Sequence, residues 1–151
     1  MLKLSRLTDY AVVVLSRMGQ SDAPLLSAPG LAVRTGLAEP TVAKVLKILS
    51  QSGLVEGLRG ARGGYRLTRP LGAIKLSEVI VAFDGPIALT ACVDGGTGSC
   101  ESEHSCPVRG RWDPVNRAIR EALAGISVAE LASGGCGASF VSLPVHFVAA
   151  E

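Results

Sequence analysis

Cys92, Cys100 and Cys106 fall within fifteen residues at the spacing Cys-x7-Cys-x5-Cys, in the stretch Ala91-Cys-Val-Asp-Gly-Gly-Thr-Gly-Ser-Cys-Glu-Ser-Glu-His-Ser-Cys-Pro107. A segment so rich in Gly, Ser and Asp has few apolar side chains to bury, so something other than packing must organise it. Three soft thiolates can converge there on a zinc ion or an iron–sulfur cluster. The spacing is neither the Cys-x2-Cys of zinc knuckles nor the short run of bacterial ferredoxins, and it predicts a metal centre carried on a loop. Glu101, Glu103 and His104 are further donors in the same loop. His104 is the more natural of these for a soft metal, although a solvated histidine near cysteines is the commoner situation. Cys136 lies far along the chain in a Gly-rich tail and reads as a free thiol.

A second group of residues is basic. Residues 1–70 carry ten Lys/Arg against four Asp/Glu, and residues 71–151 carry five against nine, giving +6 and −4. A basic first half suits an anionic partner such as DNA. Its cations concentrate in two places: Lys44 and Lys47, with Thr41 at their flank, and the tip Arg59-Gly60-Ala61-Arg62-Gly63-Gly64.

The elements that must position these groups follow from periodicity. Leu4, Leu7, Ala11, Val14, Leu15 and Met18 recur at helical spacing, with Gly19 placed to stop the helix. Ser27 to Thr35 predicts a second helix, with Pro29 in its first turn and Gly36 after its end. A third starts with Pro40 at the first helical position and closes at Gly53. Val42, Val45, Leu46 and Leu49 make its apolar face, and Lys44, Lys47 and Gln51 cluster opposite. Two helices joined by the tight Thr35-Gly36-Leu37 turn read as a helix-turn-helix. Leu54–Leu58 and Tyr65–Thr68 predict an antiparallel hairpin whose glycines let the basic tip turn tightly and approach a partner closely. Helix-turn-helix followed by hairpin is a winged helix. Its third helix suits the major groove of double-stranded DNA, and its wing arginines suit phosphates or the narrow minor groove.

Leu76–Phe83 predicts a further short helix capped by Ser77. After the cysteine loop, Asp113 is placed as an N-cap with Pro114 at the first helical position. Val115, Ile119, Ala122, Leu123 and Ile126 then form an apolar stripe facing away from Arg117, Arg120 and Glu121. Such a helix suits pairing with a second copy of the chain, since helix-turn-helix proteins commonly read paired half-sites. Ser127-Val-Ala-Glu130 has capping-box spacing and opens a last short helix.

The fold class expected is mainly α with a small β-wing: a winged helix-turn-helix plus a long dimerisation helix. The organisation expected is a DNA-binding domain over 1–85, a cysteine-rich loop over 86–110, a dimerisation helix and short terminal helix over 111–133, and an irregular tail over 134–151. No targeting signal and no membrane-length apolar run is seen, so a cytoplasmic location with reduced thiols is expected. No nucleophile–base pair and no P-loop ending is present, which argues against an enzyme.

Together these motifs resemble the Rrf2 family of winged-helix transcription regulators, on Leu4-Ser-Arg-Leu-Thr-Asp-Tyr-Ala11, the helix-turn-helix, Arg59-Gly-Ala-Arg-Gly-Gly-Tyr65 and the three-cysteine loop. That family includes IscR-like sensors of iron–sulfur status and NsrR-like nitric-oxide-sensing repressors. Glu39-Pro-Thr-Val-Ala-Lys-Val-Leu46, Gly85-Pro-Ile-Ala-Leu-Thr-Ala-Cys92 and Ser105-Cys-Pro-Val-Arg-Gly-Arg-Trp112 are most similar to the branch regulating the Suf iron–sulfur assembly operon. The resemblance implies a homodimer with one [2Fe–2S] or [4Fe–4S] cluster per subunit, with Cys92, Cys100 and Cys106 as thiolate ligands. It also implies DNA contacts from Thr41, Lys44 and Arg59. IscR-like members place a His three residues after the last cysteine. Here that position is Arg109, which stays protonated and cannot ligate. Other members use an acidic residue from the partner's first helix, a position that Asp9 holds in this chain. The alternative reading of Asp9 is an exposed carboxylate favoured by the helix dipole. A thiol-redox or zinc-dependent winged-helix regulator without a cluster is the alternative for the loop as a whole.

Overall fold

Helix α1 (Arg6–Gly19) begins where the Ser5 backbone is extended and the Ser5 hydroxyl accepts the Thr8 N–H at 3.2 Å, an N-cap bond. In the computed structural model, which describes residues 3–93, 96, 100 and 105–133, Ala11, Val14 and Leu15 of the apolar face are wholly buried, whereas Leu4 precedes the helix and is exposed. Glu101, Glu103, His104, Cys136 and the 134–151 segment lie outside the described residues.

Helix α2 (Ala28–Thr35) is capped by Ser27 and ended by Gly36 at φ 72°, a left-handed conformation that glycine adopts without strain. The Gly36 N–H returns to the Ala32 carbonyl at 2.9 Å, and the chain turns directly into the next helix. Helix α3 (Glu39–Gln51) starts one residue earlier than Pro40 suggests. Ala38 offers no side-chain cap, and Glu39 takes the first helical position, where the helix dipole favours a carboxylate. Val42, Val45, Leu46 and Leu49 are wholly buried, as their spacing predicts.

Strands β1 (Val55–Leu58) and β2 (Gly64–Leu67) pair antiparallel, from Val55 opposite Leu67 to Leu58 opposite Gly64. Leu26 bridges to Tyr65 through two backbone bonds of 2.8 and 3.0 Å, so the hairpin is pinned to the entry of α2. One core runs under α1, α2, α3 and the hairpin, and takes in Ile74, Val79 and Val128 from later in the chain.

Past a short 3-10 turn at Leu71–Ala73, helix α4 (Leu76–Asp84) has Lys75 as its N-cap, not Ser77. The Glu78 carboxylate accepts the Lys75 N–H at 2.9 Å, which fixes the helix start two residues before the hydroxyl. Helix α5 (Asp113–Gly125) incorporates Asp113 as its first residue, with Trp112 before it. The chain from Cys106 onward is already wound into turns, with Arg109, Arg111 and Asp113 N–H groups bonded three residues back, so no extended residue precedes the helix. Helix α6 (Val128–Ser133) opens with a full capping box: Ser127 donates its N–H and hydroxyl to Glu130 at 2.6 and 2.7 Å and accepts the Glu130 N–H at 3.3 Å.

α6 packs on α1, and a bridge from Ser127 to Lys75 ties it to the start of α4. α5 spans between these fixed points against α4, and its apolar stripe is only partly covered. Ile119, Ala122, Leu123 and Ile126 are half-buried and Val115 is 45% exposed. Among the described residues, no helix is long and apolar enough to cross a membrane.

Candidate nucleic-acid interface and cysteine segment

α3 and the hairpin enclose a groove of about 620 Å³ lined by Ala43, Lys47 and Gln51 from the helix and Gly57, Arg59 and Tyr65 from the hairpin. Lys47 and Arg59, from separate elements, therefore face one channel. Lys44 is exposed on the outer side of α3, and Thr41 is half-buried in its first turn, where its N–H bonds the Ala38 carbonyl at 2.9 Å. Arg59 and Arg62 stand exposed at the hairpin tip. Arg66 is held instead by its cross-strand partner Glu56, at 2.8 Å. Among the described residues no carboxylate pairs with Arg59, Arg62, Lys44 or Lys47.

The wing glycines have a further reason to be glycine. A Cβ on Gly63 would lie 2.3 Å from the Leu58 carbonyl oxygen, and one on Gly64 would lie 3.0 Å from that of Leu26. Gly63 closes the tip by donating to the Gly60 carbonyl at 2.9 Å. The approach at Gly63 excludes a side chain, and that at Gly64, against the entry of α2, leaves only a tight fit for one.

Cys92, Cys100 and Cys106 are free thiols, each half-buried. The Thr90 hydroxyl lies 3.4 Å from the Cys92 sulfur. Just before it, the Leu89 N–H donates to Asn116 Oδ1 at 3.0 Å, and Asn116 is 1% exposed. The segment leading to Cys92 is thus fastened to α5. Among the described residues no three His, Cys, Asp or Glu side chains stand close enough together to hold a metal ion. Asp9 is exposed on α1 and borders a different groove, with Leu4, Arg6, Val12 and Leu131. Arg109, where a ligating histidine would stand, is exposed. The donor types, three soft thiols within fifteen residues, suit an iron–sulfur group, while the described residues of one chain do not gather three such donors in one place.

Three residues that sequence reasoning missed define the frame of this segment: Thr8, Asp84 and Asn116. Asn116 had a legible signal, a lone amide in the row Asn116, Ile119, Leu123 on the inward side of α5. Thr8 and Asp84, wholly buried and exposed respectively, carried none, because they meet across 76 positions. Burial pushes the Asp84 carboxyl up, but its hydrogen bonds from Thr8 and Ser5 outweigh that and hold it below the usual aspartate range.

Comparison with known proteins bears on most of the chain. Protein aau3 of Rhizobium meliloti is 31% identical over 130 residues, covering 86% of this chain and 84% of the relative. The HTH-type transcriptional regulator IscR of Citrobacter koseri is 28% identical over 131 residues, covering 86% and 79%. Among solved structures, CymR, the global cysteine regulator of B. subtilis, superposes with a TM-score of 0.68 at 27% identity, covering 88% of this chain and 98% of that one. IscR of T. potens superposes at 0.60 and 28% identity, covering 90% and 94%. Both agree with the observed helical body and two-stranded wing. The family model Rrf2, described as an iron-dependent transcriptional regulator, matches residues 4–134. The chain, a transcription regulator and not an enzyme, belongs to the Rrf2 family.

Proposed function

We propose that this regulator binds operator DNA as a homodimer, through α3 and the wing, and senses its signal through an iron–sulfur cluster held by Cys92, Cys100 and Cys106. The observation that carries the reading is the set of three free, half-buried thiols on one segment, rooted between the winged-helix body and α5. A cluster held there by Cys92, Cys100 and Cys106 would supply redox- and supply-sensitive chemistry at that segment. Asp9 is the fourth ligand, given across the dimer: it is exposed on α1 and has no cysteine beside it in its own groove. Lys44, Lys47, Arg59 and Arg62 neutralise phosphates or read groove edges, with Thr41 at the base-reading end of α3. The motifs around Glu39, Gly85 and Ser105 favour Suf-type assembly genes as targets.

A thiol-switch reading without a cluster has its own support. The described cysteines are free and not gathered, and the fold is shared with CymR, a cysteine regulator. Anaerobic purification with an absorbance spectrum and iron and sulfide counts separates the two. Wild type is expected to be coloured with near-stoichiometric iron and sulfide, Cys100→Ala to be colourless but folded, and Asp9→Ala to be bleached or spectrally altered. A wild type that stays colourless after reconstitution overturns the cluster reading and leaves the thiol switch.

A further inference from the structure

The N-terminus of α1 is capped by a device divided between two helices. In an ordinary capping box the N-cap hydroxyl accepts the N3 backbone N–H, and an N3 Glu or Gln side chain accepts the N-cap N–H in return. In α1 the first half is present: Ser5 Oγ accepts the Thr8 N–H at 3.2 Å. The second half cannot come from N3, because Thr8 is too short and has no carboxylate. It comes from Asp84, the last residue of α4, whose Oδ2 accepts the Ser5 N–H at 3.2 Å and the Thr8 hydroxyl at 2.6 Å. With Thr8 donating to Asp84, the Ser5 hydroxyl donates to Thr8 Oγ1 at 2.9 Å, so the four hydrogen bonds form one closed network. Thr8 is wholly buried, and its hydroxyl needs this acceptor.

Asp84 holds its place against local preference. A carboxylate in the last turn of a helix faces the negative end of the dipole, so α4 itself gains nothing from it. Its position does have a consequence beyond α4. Gly85 follows at φ 83°, Pro86 next, and five residues after Asp84 the Leu89 N–H is fixed to Asn116 on α5. The approach to Cys92 therefore runs between two anchors, one on α1 and one on α5. At the α1 end, the residue after Thr8 is Asp9, and α1 packs on both α2 and α3.

We propose that Asp84 is a positioning residue that registers the first turn of α1, and with it Asp9, against the root of the cysteine segment, so that the state of the segment is felt by the helix beneath the reading head. The proposal rests on the cysteine segment being the sensing element, and it is the same for a cluster or for thiol chemistry.

The test uses the full chain, reduced and metal-free, so that its outcome does not depend on whether the wild type carries iron. Alkylation of Cys92 by iodoacetamide is followed by mass spectrometry in wild type, Asp84→Ala, Asp84→Asn and Thr8→Val. Asp84→Ala and Thr8→Val are each expected to raise the Cys92 rate about fivefold, the factor that one lost cap makes in a local opening equilibrium. Asp84→Asn keeps an acceptor oxygen for Ser5 and Thr8 and is expected to stay near wild type. The reciprocal measurement is amide exchange in the first turn of α1 before and after alkylation: wild type should respond, and Asp84→Ala should not. If α1 exchange rises in Thr8→Val while Cys92 reactivity is unchanged, the network is a local cap and the proposal is overturned. Thr8→Val and Asp84→Asn carry the test should Asp84→Ala not fold. The iron and sulfide count of the wild type decides the cluster reading separately.

Discussion

At the hairpin tip, the distribution of guanidinium partners separates cations free to meet DNA from one that holds the hairpin. Arg66 is paired across the strands with Glu56, whereas Arg59 faces the α3–hairpin groove. If Arg59 neutralises one phosphate, Arg59→Ala should lower the slope of log affinity against log salt by about 0.9. The loss should be similar for all sequences, and Arg66→Ala should leave the slope unchanged. Fluorescence anisotropy on a duplex at several salt concentrations measures both. A slope unchanged in Arg59→Ala removes that arginine from the interface. Residues of this kind were legible because their chemistry is local: three cysteines in one loop, arginines between glycines. Thr8, Asp84 and Asn116 were mostly not, because a hydroxyl, a helix-end carboxylate and an amide acquire their roles only when distant segments meet. Gly63 and Gly64 were read for the turn, but the Leu58 carbonyl that excludes a side chain at Gly63 and the Leu26 carbonyl that crowds one at Gly64 are visible only in three dimensions.

Helix α4 packs on α1 and on α5, and carboxylates fasten both of its ends. Burial pushes Glu78 up, but the Lys75 N–H and the Arg69 guanidinium beside it outweigh this and hold the carboxyl below the usual glutamate range. Asp84 is depressed as well. A carboxyl depressed in the folded state contributes stability that is complete above its unfolded pKa, about 4, and is lost as pH falls through the lower folded value. Thermal unfolding midpoints should therefore be level near neutrality and fall on acidification below about pH 4. Glu78→Ala should cost about 0.5–1 kcal/mol at neutral pH, less at high salt because the pair is partly exposed, and should flatten the acid limb. A variant with the wild-type pH profile would show that Glu78 does not cap α4. The elements themselves were legible from apolar period and from Ser27, Gly36 and the Ser127–Glu130 box. Their first residues were less so where a proline or an acid competed. Pro40 and Pro114 sit second in their helices, after Glu39 and Asp113, and Glu78 displaced Ser77.

Taken whole, the chain sets a basic first half against an acidic second half that carries the incompletely covered helix α5. The sequence stripe on α5 was expected to seek a partner, and it is only half satisfied within one chain: the amide of Asn116 is buried while Val115 is 45% exposed. Trp112 and Val108 continue the exposed apolar surface at 42% and 44%. A second copy meeting this face by twofold symmetry would bury each residue twice. It would also place two copies of α3 in one particle, as binding to paired half-sites requires. Val115 is the informative position, because it is exposed in the single chain and its replacement does not open the core. Val115→Glu would remove about 1.5 kcal/mol of burial per copy and place two carboxylates in apolar surroundings. The dimer dissociation constant should rise by about a hundredfold or more. Sedimentation across a concentration series should show a dimeric wild type and a variant shifted to monomer, with the variant's circular dichroism unchanged and its affinity for a two-half-site duplex reduced far more than for a half-site. A dimer that persists in Val115→Glu places the twofold contact elsewhere, and with it the route that the proposed Asp9 ligation across the dimer would need.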